Sequence, residues 1–502
     1  MSLLYDNIAA IMTAVLASAL AWIYGGSYGP ALIPVVPWLF ALLLELMIVF
    51  PQRHAGETTY DARARVWDEL KTDPLTWLVV AFLALLLVPF FNVGLCPICD
   101  YPKIAEGVNP APTIPVIPYC VNRLHHLNVV MWFFPALTAM LAVKHTLLKR
   151  GKRNFLVMVV LSGIGLAVLG FVQQVCGAEA PLWSKAFGDA KAYFFSTFGY
   201  PNMGGDYFTT LFCLAVALWR YRVEEIRRDE HSRDSTAKGS GNRFFWVKHL
   251  WLVPATIFFF AALTTLSRAA IILVSVLAIV FFIHSGISFL REMSRVKRVK
   301  ALAVAFVVFV VMVLGIMTLT PKALQQEVDS LNTTEVLDRV SGRGQYHTRV
   351  ATEIWKDNFL FGCGGWGYRH LCIPKMTDEE LAHIQQVGGI NVHNDYLQFL
   401  AEHGIIGFGL LVAMVVLLVK PVFSLWRRLV KAARFLPAKQ RPARPIQIFA
   451  LPAPVFAIYG AAVATLIHSF GDCAMRSPAV LTLFFCELAA ADGFMPYEKS
   501  ER

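Results

Sequence analysis

Stretches of about twenty apolar residues recur along the chain, each bounded by short polar or basic segments. They begin near Ile8, Ala31, Thr76, Asn128, Asn154, Gly205, His249, Ala269, Ala301, Ile405, Pro452 and Pro478. A helix needs roughly 20 such residues to cross about 30 Å of hydrocarbon, so the pattern predicts an all-α polytopic membrane protein of about twelve transmembrane helices. The first stretch ends in a cleavable-looking Ala17-Ser18-Ala19, but Asp6 and the lack of Lys or Arg ahead of it favour a retained helix. One connection breaks the rhythm of short loops. Residues 321–404 form a long segment of modest hydropathy, and loops of that size are rare unless functional. The expected division is therefore helices 1–9 over residues 1–320, a large outer loop carrying the candidate catalytic region over 321–404, and helices 10–12 with the C-terminal segment over 405–502.

Composition sharpens this picture. Of 502 residues 57% are hydrophobic and 16% charged, whereas soluble domains carry about 25% charge, so an ordinary soluble enzyme is excluded. A net charge of +11 suggests a polyanionic partner, yet most of the 45 Lys and Arg residues fall in alternate loops: Arg53 to Lys71, Lys144 to Arg153, Arg220 to Lys248, Arg291 to Lys300 and Arg427 to Arg444. That asymmetry orients a polytopic chain with those loops and both termini in the cytoplasm, and the long loop outside. The loop around Ser235 to Gly241 reads as a flexible linker on anionic lipid, and no nucleic-acid partner is expected.

On the outer side the long loop predicts helical stretches over Gln325 to Leu337, Tyr346 to Phe359 and Thr377 to Val387, with Gly362, Gly364, Gly365 and Gly367 between the last two. Most cysteines fall on this side, where disulfides such as Cys363 to Cys372 and Cys99 to Cys120 are plausible. Cys96 and Cys99 with His125 and His126 form only a loose set, and a zinc site needs four converging ligands. No metal and no cofactor are expected.

The chemistry-bearing residues cluster outside as well. In His393-Asn394-Asp395-Tyr396-Leu397-Gln398, Asn394 is a good N-cap and Gly404 a good C-terminal stop, giving a short helix with His393 ahead of its positive end, a place for an imidazole that accepts a proton. Asp395, Gln398 and Glu402 then share one face; the plainer alternative is a capped interfacial helix. Thr264-Thr265-Leu266-Ser267-Arg268 forms a tight hairpin between two apolar helices. An arginine at that boundary, if it is not a snorkelling anchor, suits a diphosphate through its planar fork. Ser341-Gly342-Arg343-Gly344 precedes the Tyr346 helix, with solvated charge the better reading for Arg349 and Arg369. Tyr200-Pro201-Asn202 lies at a helix entrance. His468 and Asp472 stand at i, i+4, a spacing that lets the carboxylate orient the ring or merely packs two helices. Neither an Asp-x-Asp metal-nucleotide clamp nor a Gly-x-x-x-x-Gly-Lys phosphate loop is present, so a soluble nucleotide donor is disfavoured.

These residues resemble the signature of the bacterial O-antigen ligase and polymerase superfamily. The His393 to Gln398 run with Glu402, Gly404 and Gly407, the Leu266-Ser267-Arg268 hairpin, Pro201-Asn202, Arg343, the glycine cluster, and His468 through Asp472 to Pro478 occur in the family order from about residue 155 onward. The resemblance implies a GT-C-like, metal-independent glycosyltransferase of lipopolysaccharide biosynthesis in the inner membrane, active on the periplasmic face. Its donor would be a glycan on undecaprenyl pyrophosphate. The acceptor would be a hydroxyl of lipid A core for a ligase, the favoured reading, or another lipid-linked glycan for a polymerase. It also implies that Arg268 and Arg343 hold the pyrophosphate, that His393 is the base or positioning residue, and that Asn394, Asn202, His468, Asp472 and Tyr396 line the substrate. A lipid-linked-glycan transporter is the competing class, disfavoured because ionisable residues gather on one face rather than at mid-membrane.

Overall fold

The computed structural model describes residues 2–23, 25, 49–94, 112, 114–184, 194–232, 245–290, 346–387, 390–434 and 451–495. The spans begun at Ala31 and Ala301, the Gln325 to Leu337 stretch, Arg343, Cys96, Cys99, and the basic segments 233–244 and 291–300 lie outside the described residues. What is described is helical, with two isolated β-bridges among the described residues. Seven helices among them are long and apolar enough to cross a membrane. The chain is an all-α polytopic membrane protein.

The helices that position the site are α1 (Ser2–Trp22), α2 (Thr59–Thr72), α3 (Pro74–Leu87), α4 (Arg123–Leu141), α5 (Lys149–Val175), α6 (Pro201–Ser232), α7 (Leu252–Thr264) and α8 (Arg268–Leu290), followed by α9 (346–357), α10 (Asp378–Val387), α11 (Asp395–Arg434), α12 (Ala453–Gly471) and α13 (Pro478–Ala490). Local sequence explains their ends. Asp73 caps α3 ahead of Pro74, accepting from the Leu75 amide at 3.0 Å, and Ser477 does the same for α13 ahead of Pro478. α1 is part of the bundle: Trp22 Nε1 donates to Ser162 Oγ on α5 at 2.9 Å.

α13 is buried along its whole length, and α6 packs between α7 and α12, so these form the centre. α8 shows Ile272, Val276, Ile279 and Phe282 outward, the lipid-facing pattern of a spanning helix. The two ends of the bundle differ. At one, charged residues clasp helix ends: Lys144 with Asp73 at 2.6 Å and Lys152 with Asp492 at 2.7 Å. At the other sits a cap with its own small core of Tyr119, Val350, Ile354, Tyr368, Met376 and Val392, built from residues 114–122, 346–387 and 390–394. The cap is tied to α4 by His126. The Gly365 amide donates to its Nδ1 at 2.8 Å, so Nε2 carries the proton and donates to the Leu86 carbonyl at 2.8 Å. This histidine is structural.

Candidate functional site

The site grows from a break in a helix. α11 begins as expected, with Asn394 accepting from the Leu397 amide at 3.1 Å. At Gly404, however, the chain does not leave the helix for a loop. It takes one residue at φ 62°, ψ −175° and resumes as helix to Arg434, so the expected two-to-three-turn helix and the span expected from Ile405 are one broken element. The cap fills the break. Cys363 and Gly364 amides donate to the Ala401 and Glu402 carbonyls at 3.0 and 2.9 Å, while Ile405 and Ile406 amides donate to the Phe359 and Leu360 carbonyls at 2.9 and 3.1 Å. Both orphaned helix ends are thereby satisfied, which a membrane environment demands. The two chains approach so closely that a Cβ on Gly362 would lie 2.3 Å from the Glu402 carbonyl carbon, and one on Gly404 2.3 Å from that of Leu360. Part of the glycine cluster exists for this contact.

Just ahead of the break-carrying helix, His393 adopts φ 53°, a left-handed conformation that a non-glycine residue holds only under constraint. Its Nδ1 lies 3.3 Å from Asp472 Oδ1, and its side chain is 44% exposed, so the far edge of the ring is open. Asp472 is the hub. It accepts from the Tyr200 hydroxyl at 3.0 Å, from Asn202 Nδ2, and from the Cys473 amide at 2.6 Å. Burial alone would raise this carboxyl, but the His393 hydrogen bond and charge, the Cys473 amide and His468 hold it down at about 2. Burial, reinforced by the Asp472 charge, pushes the Tyr200 phenol well above its ordinary value, so it stays a donor. Burial does the same to the Cys473 thiol, whose Sγ lies 3.2 Å from Asp472 Oδ1. With Asp472 accepting, His393 carries its proton on Nδ1 and leaves Nε2 free to accept one.

The expected pairing of His468 with Asp472 is not formed. α12 ends at Gly471, and Asp472 turns into extended backbone at φ −157°, which breaks the i, i+4 register. His468 Nδ1 instead meets Asp206 Oδ1 on α6 at 3.1 Å, both side chains fully enclosed, and Thr465 donates to the other Asp206 oxygen at 2.8 Å. His468 is thus a sealed tie between α6 and α12 rather than part of the open cluster. The polar stripe of α11 is likewise buried. Gln398 donates to Glu402 at 3.0 Å, Arg476 to Glu402 at 2.9 Å, and the Met475 amide to Asp395 at 2.9 Å. These bonds clamp the 472–477 turn, which carries Asp472, onto the helix that carries His393. Tyr396 adds a second clamp by donating to the Leu466 carbonyl at 2.6 Å.

Arg268 is the first residue of α8, with Ser267 capping through the Ala270 amide at 3.3 Å. Its hairpin lies against α6 at Gly205, where a Cβ would come 2.5 Å from Ala270 Cβ and 2.9 Å from Ser267 Cβ. That contact sets the arginine's hairpin beside the helix start that supplies Asn202 to Asp472. Arg349 is an exposed charge paired with Glu380 at 2.9 Å and Glu353 at 3.2 Å. Arg369 departs from the solvated reading. It stacks on Trp366 at 3.4 Å and donates to Asn391 at 3.1 Å, two residues ahead of His393. Burial, then the Arg476 charge, lowers its guanidinium to about 10. Cys363 and Cys372 are both free thiols, which overturns their expected pairing: Cys372 lies against the Arg369 carbonyl at 3.5 Å instead. Cys120 is also free, with its thiol on the Pro89 carbonyl at 3.3 Å.

Sequence spacing brings Tyr200 and Glu402 near the site without naming their partners, whereas Asp206 and the buried roles of Arg476 and Arg369 emerge only from the structure. No curated protein matches the chain significantly. Residues 253–412, which run from α7 through the His393 helix and its break, match the family model for O-antigen ligase.

Proposed function

We propose that the chain is a glycosyltransferase that moves a glycan from undecaprenyl pyrophosphate to a sugar hydroxyl of lipid A core at the capped, periplasmic end of the bundle in the bacterial inner membrane. One observation carries this reading: an exposed histidine, held in strained backbone, hydrogen-bonded to a buried carboxylate that four further donors orient. The acceptor hydroxyl gives its proton to His393 Nε2. Its oxygen then attacks the anomeric carbon in line while the bond to the pyrophosphate oxygen breaks, and that oxygen keeps the electron pair. Asp472 stabilises the imidazolium so formed. Arg268, with Arg343 from the segment outside the described residues, neutralises the leaving pyrophosphate. Asn394 acts by capping the His393 helix, and Asn202 by fixing Asp472. Direct displacement inverts the anomeric centre. Proton removal by a positioned group is worth roughly 10² to 10⁴-fold, and the arginines supply the electrostatic share.

The test is transfer in proteoliposomes with purified lipid-linked donor, with and without lipid A core. Core-linked product supports the ligase, and longer lipid-linked chains without core would make the enzyme a polymerase using the same donor. Alanine at His393 or Arg268 should abolish transfer. Unimpaired transfer in both variants would sink the assignment, and donor movement across the bilayer without any glycosidic bond formed would make the chain a transporter.

A further inference from the structure

The three side chains His393, Asp472 and Cys473 offer an imidazole nitrogen, a carboxylate oxygen and a sulfur, all within 4.8 Å of one another. Cys473 Sγ lies 3.2 Å and His393 Nδ1 3.3 Å from the same oxygen, Asp472 Oδ1. A tetrahedral zinc, with bonds of about 2.3 Å to sulfur and about 2.0 Å to nitrogen and oxygen, needs ligand edges of roughly 3.3 to 3.6 Å. Two of the three edges are already within a few tenths of an ångström of those lengths. The third closes by rotation of the one side chain of the three that is substantially exposed, His393. The second carboxylate oxygen is held by Asn202 and by Tyr200, whose hydroxyl lies 3.2 Å away, an outer layer of the kind that aims a metal-bound carboxylate.

We propose that His393, Asp472 and Cys473 form a binding site for a thiophilic divalent ion such as Zn²⁺, and that occupancy switches the glycosyltransferase off. The inference rests on the reading of His393 as the proton acceptor. The ion takes Nδ1, Oδ1 and the Cys473 thiolate, whose proton passes to solvent, and water fills the fourth position on the open side. An imidazole bound through Nδ1 carries its proton on Nε2. That nitrogen then has no lone pair for the acceptor hydroxyl, and Asp472 is drawn away from the ring. The metal thus locks the tautomer that cannot work.

The full-length protein in nanodiscs, titrated with Co²⁺ as a spectroscopic stand-in, tests the site without reference to turnover. A thiolate-to-cobalt charge-transfer band should appear at one equivalent, be displaced by Zn²⁺, and vanish in Cys473→Ser, which keeps a hydrogen bond to Asp472 but removes the soft ligand. No band in the parent protein, or an undiminished band in Cys473→Ser, overturns the site, the latter by moving the ion to other cysteines. In transfer assays Zn²⁺ should inhibit the parent and EDTA should restore it, and whatever transfer Cys473→Ser shows without metal should need about tenfold or more Zn²⁺ for half-inhibition than the parent does. A cobalt band together with transfer that Zn²⁺ leaves unchanged or raises overturns the switch. Transfer left intact in His393→Ala, with the band present in the parent and lost in that variant, would overturn the assignment of the base while leaving the metal site standing, whereas no band in the parent overturns the site and leaves the base untouched.

Discussion

Replacing Gly404 by alanine puts a methyl group where the backbone leaves no room. Its φ of 62° and ψ of −175° fall in a region that is essentially glycine's own, at a cost of order 1–3 kcal/mol to any other residue. The added Cβ would lie 2.3 Å from both the carbonyl carbon and the oxygen of Leu360. These are main-chain atoms, which no side-chain rotation can move, so relief requires the cap and the helix to separate at a further cost of typically 1–3 kcal/mol. The sum, about 2–6 kcal/mol, compares with the roughly 5–15 kcal/mol that holds a typical domain together. Separation also lengthens the four amide-to-carbonyl bonds that close the break and moves His393, eleven residues earlier and just ahead of the same helix, relative to Asp472. Gly409 is the internal control. It is helical, has nothing within 4 Å of its Cβ position, and should gain about 0.5–1 kcal/mol as alanine. Thermal unfolding in one detergent should show Gly404→Ala melting several degrees lower and Gly409→Ala unchanged or higher. Glycan transfer should fall about 10²-fold in the first and hold in the second, since misplacement of about an ångström costs that much. Equal melting of the two variants would refute the broken-helix account.

Asp472→Asn keeps the shape of the hub but removes its charge, so kcat for transfer should drop by about 10²-fold or more while KM changes little, as measured by steady-state assay. Arg476→Met strips two buried carboxylates, Glu402 and Asp395, of their cation and should cost about 3–5 kcal/mol in unfolding experiments; Arg476→Lys recovers part of this, lacking the planar fork. His370 is held at about 4 by burial and by the neighbouring His125 and Arg369, against 6.5 when free. The unfolded cap therefore binds a proton that the folded cap refuses. Its stability is complete above pH 6.5 and declines as pH falls toward 4, by up to about 2 kcal/mol at pH 5. Limited proteolysis of the cap at pH 7 and 5 should report this loss, and His370→Gln should flatten it.

Local rules read local features well and fail where the chain meets itself from far away. The Asn394 cap and the single face shared by Asp395, Gln398 and Glu402 follow from spacing within one element, and the structure has both; Gly404 interrupts the helix as its sequence suggests, but as a one-residue break rather than a stop. What spacing cannot give is the partner. The stripe is answered by Arg476, more than seventy residues on, and the glycine cluster by the carbonyls of α11. His468 and Asp472 mislead for a related reason: their separation fits a helix, but the helix ends between them, and each finds a residue elsewhere, Asp206 and His393. Arg369 reads as a loop charge because nothing nearby in sequence announces that Trp366 will lie flat beneath it.

Two histidine–carboxylate pairs thus sit one after the other at the end of α12, and their surroundings divide the labour between them. The His468–Asp206 pair is fully enclosed and bonded to Thr465, between two helices that pack along their length. A pair so placed can take no part in exchange with a substrate, and its worth lies in fixing α6 against α12. The His393–Asp472 pair shares those same two helices, because Asn202 leads into α6 and Asp472 follows α12, yet its ring is open on one side. The sealed pair therefore sets the position from which the open pair works. A deeply buried charge network, costly to assemble in a membrane, is repaid when it holds one exposed imidazole still. The strain at His393 fits that account, since only an over-determined surround keeps a non-glycine residue at φ 53°.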